Sequence, residues 1–470
     1  MNAYDQVRYI TKPHSKSHPQ LLGAEAILHG LSPAPADKCV VLEIGCGDGW
    51  NLIPMAEQFP ESDFLGIDLA GEPLAVGVAD AAELGIGNAR FERKDLMDID
   101  PAYGSFDYIL AHGVYSWVPE AVSDRLLGVI AANLAPNGIG FVSYNTYPGC
   151  HARDLARGIM RYRIREEADP DRRVNGAREI LRMIAEADLG KEEYNTAVRH
   201  EYDLVRRRSP GSVYHDDIGA HFRPLHFHEF VERAARHGLS FVCEAEYPIM
   251  REGWPLGDVD AVLNGLNLDR IERQQFLDFL LGRRFRQTLL CHAGRNPAPS
   301  PGAGQVPKLH AASCVQRVGP DRFQSRAGSR ISLQDREVIS ALERLAESWP
   351  RTLSFDELRE QTANGEPAKL AANLLMLFSF GFVELLSGPR LAASQAGARP
   401  IARKLARWQA GRGIEVTSLF HEPVTLEDEA ARRMLPLLDG TRDLGQIAGL
   451  TLDQAHAIAE KMAAAGLLIA

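Results

Sequence analysis

The chain has 470 residues, of which 45% are hydrophobic and 24% charged, and its formal net charge is −10 at pH 7. This length predicts two or three domains, and the acidic balance argues against a basic nucleic-acid footprint. No stretch approaches the ~20 apolar residues of a membrane helix, and the polar start lacks the apolar core of a signal peptide. The six cysteines form no C-x-x-C pair, which argues against a zinc cluster or a disulfide frame. We therefore expect a cytoplasmic protein without membrane association, and homodimer assembly is left open.

Short apolar runs alternate with helix-like segments between residue 39 and about residue 145. The runs include VVLEIG, DFLGID, ARFERKD, FDYILAHG and GIGFVSYN. Strands separated by helix-length connections predict βαβ units and an α/β, Rossmann-like, doubly wound sheet that is mostly parallel. We assign residues 1–151 to this domain.

The remainder of the chain has a different pattern. Residues 152–292 lack the alternation and are predicted to be a mostly helical domain, with FHEFVERAARHG and RIERQQFLDFLLGRRFRQTLLC as its clearest helices. Residues 293–307 are rich in Pro and Gly and are predicted to be a linker. An approximate repeat then predicts two winged-helix-like modules, residues 308–396 and 397–470. Their third helices are apolar or neutral, which favours protein contact over DNA reading.

The segment VLEIGCGDGWN contains three glycines at alternate positions, Gly45, Gly47 and Gly49. A dinucleotide fingerprint needs G-x-G-x-x-G, but Trp50 stands where the third glycine belongs. No Gly-Lys-Ser/Thr follows, so a nucleoside-triphosphate loop is excluded as well. The shorter loop suits a ligand without phosphate whose charged tail lies against backbone amides, such as S-adenosylmethionine.

Two acids at strand ends strengthen this interpretation. Asp68 ends the second predicted strand, where a carboxylate can accept both ribose hydroxyls. Asp95 ends the third predicted strand, where it can accept from an adenine amine while Leu96 packs on the ring. Glycines and acids in register with a βα repeat predict an S-adenosylmethionine site, with S-adenosylhomocysteine as the product.

These motifs resemble the class I methyltransferases. HSKSHPQLLGAEAILHGL, VLEIGCGDGWNLIPMA, DYILAHGVYSWVP, SYNTYPG and PLHFHEFVERAARHGL resemble more specifically the bacterial enzymes that carry a methyltransferase regulatory domain after the catalytic one. That group includes protein-lysine methyltransferases of outer-membrane proteins. The resemblance implies cofactor contacts by Gly45, Cys46, Gly47, Gly49, Asp68 and Asp95. The predicted set is completed by Glu43, Asn51, Leu69, Leu96 and His112.

The acceptor is expected near the carboxyl ends of the strands, at the switch point of the sheet. The fourth and fifth strands end there in polar-aromatic clusters, and aromatic faces can hold a sulfonium or an ammonium group. We predict as catalytic residues His112, Tyr115, Tyr144 and Asn145. In class I methyltransferases the segment before the first strand often covers the cofactor, which makes Tyr4 and His18 candidate lid residues. The predicted substrate-binding residues are Tyr4, His18, Trp117 and Tyr147.

Several functions remain open from the sequence. The favoured acceptor is a protein or peptide side chain, with lysine implied by the resemblance, and the alternatives are a small metabolite, a sugar or a ribosomal peptide. A function of a different class is that of a regulatory protein that senses S-adenosylmethionine and binds DNA. The net negative charge of the chain argues against this function. The general base is not identified. The spacing of His215, His221, His226 and His228 permits a metal site, but capping of a helix is favoured, so no metal is predicted.

Overall fold

A computed structural model describes residues 3–187, 192–250, 258–362, 366–447 and 449–470. Its central sheet has seven strands in the order β3-β2-β1-β4-β5-β7-β6. The strands are β1 (Val40–Ile44), β2 (Asp63–Asp68), β3 (Ala89–Arg93), β4 (Phe106–Ala111), β5 (Leu134–Asn145), β6 (Leu239–Glu244) and β7 (Phe285–His292). The helices of the same N-terminal region are α1 (Ala3–Gln6), α2 (Pro19–Leu28), α3 (Leu52–Gln58), α4 (Gly71–Glu83) and α5 (Glu120–Asn133).

The first five strands are parallel, as the alternating pattern predicts. Successive residues of β1 and β4 belong to two separate hydrophobic cores: Val41 packs in one and Leu42 in the other, and Leu110 and Ile109 divide in the same way. Side chains alternate between the faces of a strand, and a parallel sheet is covered by helices on both faces. These inner strands are therefore mostly apolar, whereas the edge strand β3 is polar and partly exposed.

The middle region supplies seven helices among the described residues, and it also completes the sheet. The helices are α6 (His151–Arg163), α7 (Pro170–Glu186), α8 (Glu192–Val205), α9 (Pro210–Ser212), α10 (Phe227–Arg236), α11 (Asp258–Gly265) and α12 (Arg270–Leu281). Strand β7 pairs antiparallel with β5, and β6 pairs antiparallel with β7.

The prediction of a helix over residues 270–291 is wrong for the second half of that segment. The segment RIERQQFLDFLLGRRFRQTLLC forms α12 only as far as Leu281, because Gly282 adopts the left-handed conformation with φ of 58°. The residues that follow form β7, whose Leu289 and Leu290 face the two different cores. A short apolar run fits a buried strand as well as a buried helix, which explains the error.

The C-terminal part forms two small units. The first contains β8 (His310–Ala312), β9 (Gln316–Arg317), β10 (Arg322–Gln324), β11 (Arg330–Ser332), α13 (Arg336–Ser348), β12 (Leu353–Ser354), α14 (Phe355–Gln361), α15 (Pro367–Ser379) and β13 (Glu384–Leu386). The second contains β14 (Ile401–Ala402), α16 (Lys404–Ala410), β15 (Glu415–Thr417), β16 (Pro423–Thr425), α17 (Glu429–Met434), α18 (Leu452–Ala464) and β17 (Leu468–Ile469).

The segment predicted as a linker, residues 293–307, is fixed to the body of the protein. The backbone amide of Ala298 donates to the carbonyl of His29, and that of Gly302 donates to the carbonyl of Leu28, each at 2.8 Å. Val306 is buried. The segment therefore runs along the end of α2. Among the described residues, no helix combines the length and the apolar character that crossing a bilayer requires.

A buried ion-pair network joins the two antiparallel strands to the helices. The Arg286 guanidinium is fully buried, donates to both oxygens of Asp278 at 2.8 and 2.9 Å, and donates to Glu244 at 2.8 Å. It also lies 3.8 Å from the ring centre of Phe227 on α10. One side chain thus ties β7 to β6, α10 and α12.

Replacing Arg286 by Met should lower the free energy of unfolding by about 3–5 kcal/mol, because two buried carboxylates lose their cation. Urea unfolding followed by circular dichroism measures this change. The matched control is Arg182→Met, which removes an exposed pair with Glu186 and is expected to cost about 0–1 kcal/mol. Equal effects of the two substitutions would contradict the assigned role of Arg286.

Candidate active site

A large cavity, about 1190 Å³ in volume, opens at the carboxyl ends of the parallel strands. Its walls come from the N-terminal segment, the glycine loop after β1, the ends of β2, β4 and β5, and the region of α8 and α9. This is the position that the doubly wound topology predicts for a ligand.

Three glycines of the loop, Gly45, Gly47 and Gly49, have positive φ, and the first two line the cavity. Gly45 has φ of 75° and Gly47 has φ of 56°. A Cβ atom on Gly45 would lie 2.5 Å from Val114, and one on Gly47 would lie 2.6 Å from Thr11. Glycine is therefore required at both positions for the backbone conformation and for the close approach of neighbouring segments.

The Asp68 side chain is held by the backbone at the end of β2. Its two oxygens accept from the amides of Gly47 and Ala70, each at 2.9 Å. Burial raises the pKa of Asp68 above its usual value. The carboxylate lines the cavity and has lone pairs left over, so it can accept from ribose hydroxyls.

The wall after β3 combines an acid with apolar side chains. Asp95 accepts from the backbone amide of Met97 at 2.9 Å and thereby caps the turn that follows. Leu96, Met97 and Leu69 line the same part of the cavity, and Leu69 and Met97 are 49% and 46% exposed. Apolar surfaces beside a hydrogen-bond acceptor suit a purine ring with an exocyclic amine.

Glu43 on β1 presents an unpaired acceptor to the cavity. Its Oε1 accepts from Asn51 Nδ2 at 2.8 Å, whereas Oε2 is buried and has no hydrogen-bond partner within the described part of the chain. Burial raises the pKa of Glu43 to about 8. At pH 7 the group is therefore mostly protonated in the absence of a ligand, and the ammonium of S-adenosylmethionine, by pairing with Oε2, would favour the carboxylate.

The structure brings most predicted cofactor residues to the cavity. Those that line it are Glu43, Gly45, Cys46, Gly47, Asn51, Asp68, Leu69, Asp95, Leu96 and His112. Gly49 lies behind the loop, where a Cβ atom would clash with the ring of Phe91. Its role is to let the loop pack against β3, and the neighbouring Trp50 packs against Trp408 of the second C-terminal unit, with ring centres 5.8 Å apart.

Two of the predicted catalytic residues reach the cavity, His112 and Asn145. The His112 ring stacks on His14 at 3.8 Å between centres. Burial lowers the pKa of His112 to about 3, so the imidazole is neutral at pH 7 and is a weak base. Arg153 donates to the Asn145 amide oxygen at 3.3 Å.

The other two predicted catalytic residues, Tyr115 and Tyr144, lie in the hydrophobic core instead. The Tyr144 ring stacks on Phe230 of α10 at 4.0 Å, and its hydroxyl shares a hydrogen bond with Thr288 at 3.1 Å. The Tyr115 ring lies 5.2 Å from the same Phe230. Side chains alternate along β5, so Asn145 faces the cavity and Tyr144 faces away from it.

The predicted substrate-binding residues divide in the same way. Tyr4 and Trp117 line the cavity. His18 caps the N-terminus of α2, where it accepts from the backbone amide of Gln20 at 3.4 Å. Tyr147 donates to Asp154 at 2.6 Å and stacks on His151. The structure therefore does not bring His18 and Tyr147 to the cavity.

The sequence analysis missed the residues that close the cavity from the N-terminal side. Tyr9 donates to Asp216 at 3.3 Å, and both residues line the cavity. Thr11 donates to Asp48 of the glycine loop, and Arg8 lies 3.6 Å from the same carboxylate. The N-terminal segment is therefore fastened on two sides, to the glycine loop and to the middle region.

Two of the histidines considered for a metal site make structural contacts. His215 lies on a π-helical turn, Val213–Asp217, and its Nε2 bonds to the carbonyl of Val7 at 2.7 Å. His226 is the N-cap of α10 and takes part in a capping box with Glu229. The Glu229 carboxylate accepts a hydrogen bond from the backbone amide of His226 at 2.7 Å. The group thus holds the N-terminal segment and a helix end.

Comparisons with known proteins agree with this geometry. A family model described as "Methyltransferase domain" matches residues 41–138, "Predicted methyltransferase regulatory domain" matches residues 209–292, and "PKMT, C-terminal winged helix domain" matches residues 398–464. PKMT2 from Rickettsia typhi, whose structure is also known in complex with AdoHcy, has a TM-score of 0.85. The match has 24% identity and covers 98% of this chain and 100% of that chain.

Two proteins of Rickettsia prowazekii (strain Madrid E) are similar in sequence. RP789 is 33% identical over 292 residues, which are 62% of this chain and 53% of that protein. RP028 is 34% identical over 235 residues, which are 50% of this chain and 94% of that protein. The match to RP789 thus spans about half of the length of that relative.

The chain belongs to the class I S-adenosylmethionine-dependent methyltransferases that carry a methyltransferase regulatory domain. It ends in a winged helix domain of the PKMT type. S-adenosylmethionine is its cofactor, and we propose that the cavity residues described above contact it.

Replacing Asp68 by Ala should weaken S-adenosylhomocysteine binding by roughly 10- to 100-fold, because charge-assisted hydrogen bonds to the ribose contribute about 1.5–3 kcal/mol. Isothermal titration calorimetry measures the dissociation constant. Asp98→Ala is the control, since Asp98 is exposed and does not line the cavity. If both variants bind like the unmodified protein, the ribose assignment fails.

Proposed function

We propose that this enzyme methylates a lysine side chain of a protein or peptide. The observation that carries the proposal is a cluster of Tyr4, Tyr9 and Asp216 in the wall of the cavity, with His215 stacked on Tyr4. The matches to the PKMT winged helix domain and to the PKMT2 fold support the same class of acceptor. The six cysteines are all free, which suits a reducing compartment, and we place the enzyme in the cytoplasm.

The cluster has the composition of an ammonium-binding site. The rings of Tyr4 and Tyr9 are nearly perpendicular with centres 6.2 Å apart, and His215 stacks on Tyr4 at 4.0 Å. Burial, reinforced by the charge of Asp216, raises the pKa of Tyr4 to about 12. The phenols therefore stay neutral. Aromatic faces beside a carboxylate attract an alkyl ammonium by about 0.5–2 kcal/mol for each ring.

The cluster lies next to the cofactor residues. Tyr4, Asp216 and Asp68 all line the cavity. The sulfonium of the cofactor and the ammonium of a lysine are both cations, and the two carboxylates attract them. Arg153 and Arg208 line the same cavity and partly offset the charge of Asp216.

S-adenosylmethionine, when bound, supplies a methyl carbon on a positively charged sulfur that an amine lone pair can attack. A free lysine has a pKa of about 10.4, so its amine has to lose a proton first. Burial raises the pKa of Asp216 to about 6, and its carboxylate both attracts the ammonium and accepts that proton at Oδ1 or Oδ2. The stacked rings of His14 and His112 line the same cavity.

Incubation with methyl-labelled S-adenosylmethionine and a cell lysate tests the acceptor class. The label should enter protein, and acid hydrolysis of that protein should release N-methyl-lysine. Label confined to small molecules would instead support methylation of a metabolite.

Replacing Asp216 by Asn should lower kcat/KM for the protein acceptor by roughly 10- to 100-fold, because an ammonium loses a charged hydrogen-bond partner of about 1.5–3 kcal/mol. The dissociation constant for S-adenosylhomocysteine should stay within about twofold. Asp171→Asn, an exposed substitution at the start of α7, is the control. A loss of cofactor binding without a selective loss of acceptor turnover would contradict this role.

The pH dependence gives a separate test. The raised pKa of Asp216, about 6, means that the carboxyl group is protonated at pH 5 and ionised at pH 7. Acceptor kcat/KM should therefore rise between these values in the unmodified enzyme. In the Asp216→Asn variant this rise should be missing, and an unchanged profile would assign the titration to another group.

A further inference from the structure

The hairpin of the second C-terminal unit reaches into the cofactor region. Strands β15 and β16 pair antiparallel, and the turn between them holds His421 at φ of 56°. We call this hairpin, residues 415–425, the wing. The His421 side chain is 1% exposed, so it is buried between the wing and the catalytic domain.

His421 contacts a residue of the cofactor loop directly. Its Nε2 lies 2.8 Å from Oδ1 of Asn51. Its Nδ1 has no hydrogen-bond partner in the residues that the structure describes, and burial lowers the pKa of His421 well below 6.5. The ring is therefore neutral, and its proton lies on Nε2, where it is donated to Asn51.

The bond to His421 is one of two that fix the orientation of the Asn51 amide. Asn51 Oδ1 also accepts from the backbone amide of His14 at 2.9 Å. Asn51 Nδ2 then faces Glu43 at 2.8 Å and Ser17 at 3.1 Å. With the amide fixed in this orientation, Glu43 Oε1 is occupied and Oε2 remains available to the cavity.

The second C-terminal unit is held in this position by a second set of contacts with α3, the helix that begins directly after Asn51. Arg403 forms an ion pair with Glu57 at 2.5 Å and donates to the carbonyl of Pro54 at 2.9 Å. The backbone amide of Leu405 donates to the other oxygen of Glu57 at 2.8 Å. The unit is therefore docked on the catalytic domain by groups that are mostly buried.

We propose that His421 is a positioning residue of the cofactor site, so that the second C-terminal unit contributes to the affinity for S-adenosylmethionine. The residue acts through Asn51, Glu43 and the N-terminal segment. This inference does not depend on the acceptor, because its test measures cofactor binding alone.

Calorimetric titration of the full chain with S-adenosylhomocysteine tests the proposal. His421→Ala should raise the dissociation constant by about 5- to 10-fold, the effect of losing one hydrogen bond while Asn51 Oδ1 keeps its bond from the amide of His14. His421→Gln keeps an N–H donor on a longer chain and should recover most of the affinity, whereas His421→Asn is too short and should not. His456→Ala, an exposed histidine on α18 of the same unit, should bind like the unmodified protein.

Thermal melting detects whether the Ala variant folds poorly. In that case the comparison of the Gln and Asn variants still tests the proposal. Both amide variants keep a polar side chain at position 421. Gln should bind S-adenosylhomocysteine at least about fivefold more tightly than Asn. Equal affinities of these two variants, or an Ala variant with unchanged affinity, would overturn the proposal.

Discussion

The arrangement of the cavity walls depends on the hydrogen bonds of the Asn51 side-chain amide. Three segments that are distant in sequence meet at this one side chain: the N-terminal segment through His14, strand β1 through Glu43, and the C-terminal wing through His421. Within this buried network Asn51 has hydrogen bonds to all three segments, whereas Glu43 Oε2 and His421 Nδ1 have no partner among the described residues. The contacts of Asn51 therefore couple the glycine loop to the N-terminal segment and to the C-terminal unit.

This constraint relates the architecture to the proposed chemistry. The sheet places Asp68 and Asp95 in the wall of the cavity, and the middle region places Asp216 in the same wall. The N-terminal segment contacts both regions, because Thr11 bonds to the glycine loop and Tyr9 bonds to Asp216. The accessory regions thus form walls of the reaction chamber in addition to any role in recognising an acceptor.

The cofactor half of the site could be predicted from sequence for a physical reason. In a βα repeat each strand end lies at the same edge of the sheet, so the glycines, Asp68 and Asp95 could be placed together from their positions alone. The acceptor half could not be placed in this way. Tyr144 and Asn145 are adjacent, and a one-residue shift of phase in a strand exchanges its two faces. The contact between Tyr9 and Asp216 spans 207 positions of the chain, and no local pattern encodes it.

Hydrogen–deuterium exchange with and without S-adenosylhomocysteine tests most directly whether three separate segments build one cofactor site. Slower amide exchange on binding is expected in the glycine loop, residues 43–51, and also in residues 4–14 and in the wing, residues 415–425. Protection confined to the glycine loop and the ends of β2 and β3, with unchanged exchange in the N-terminal segment and the wing, would contradict a shared site.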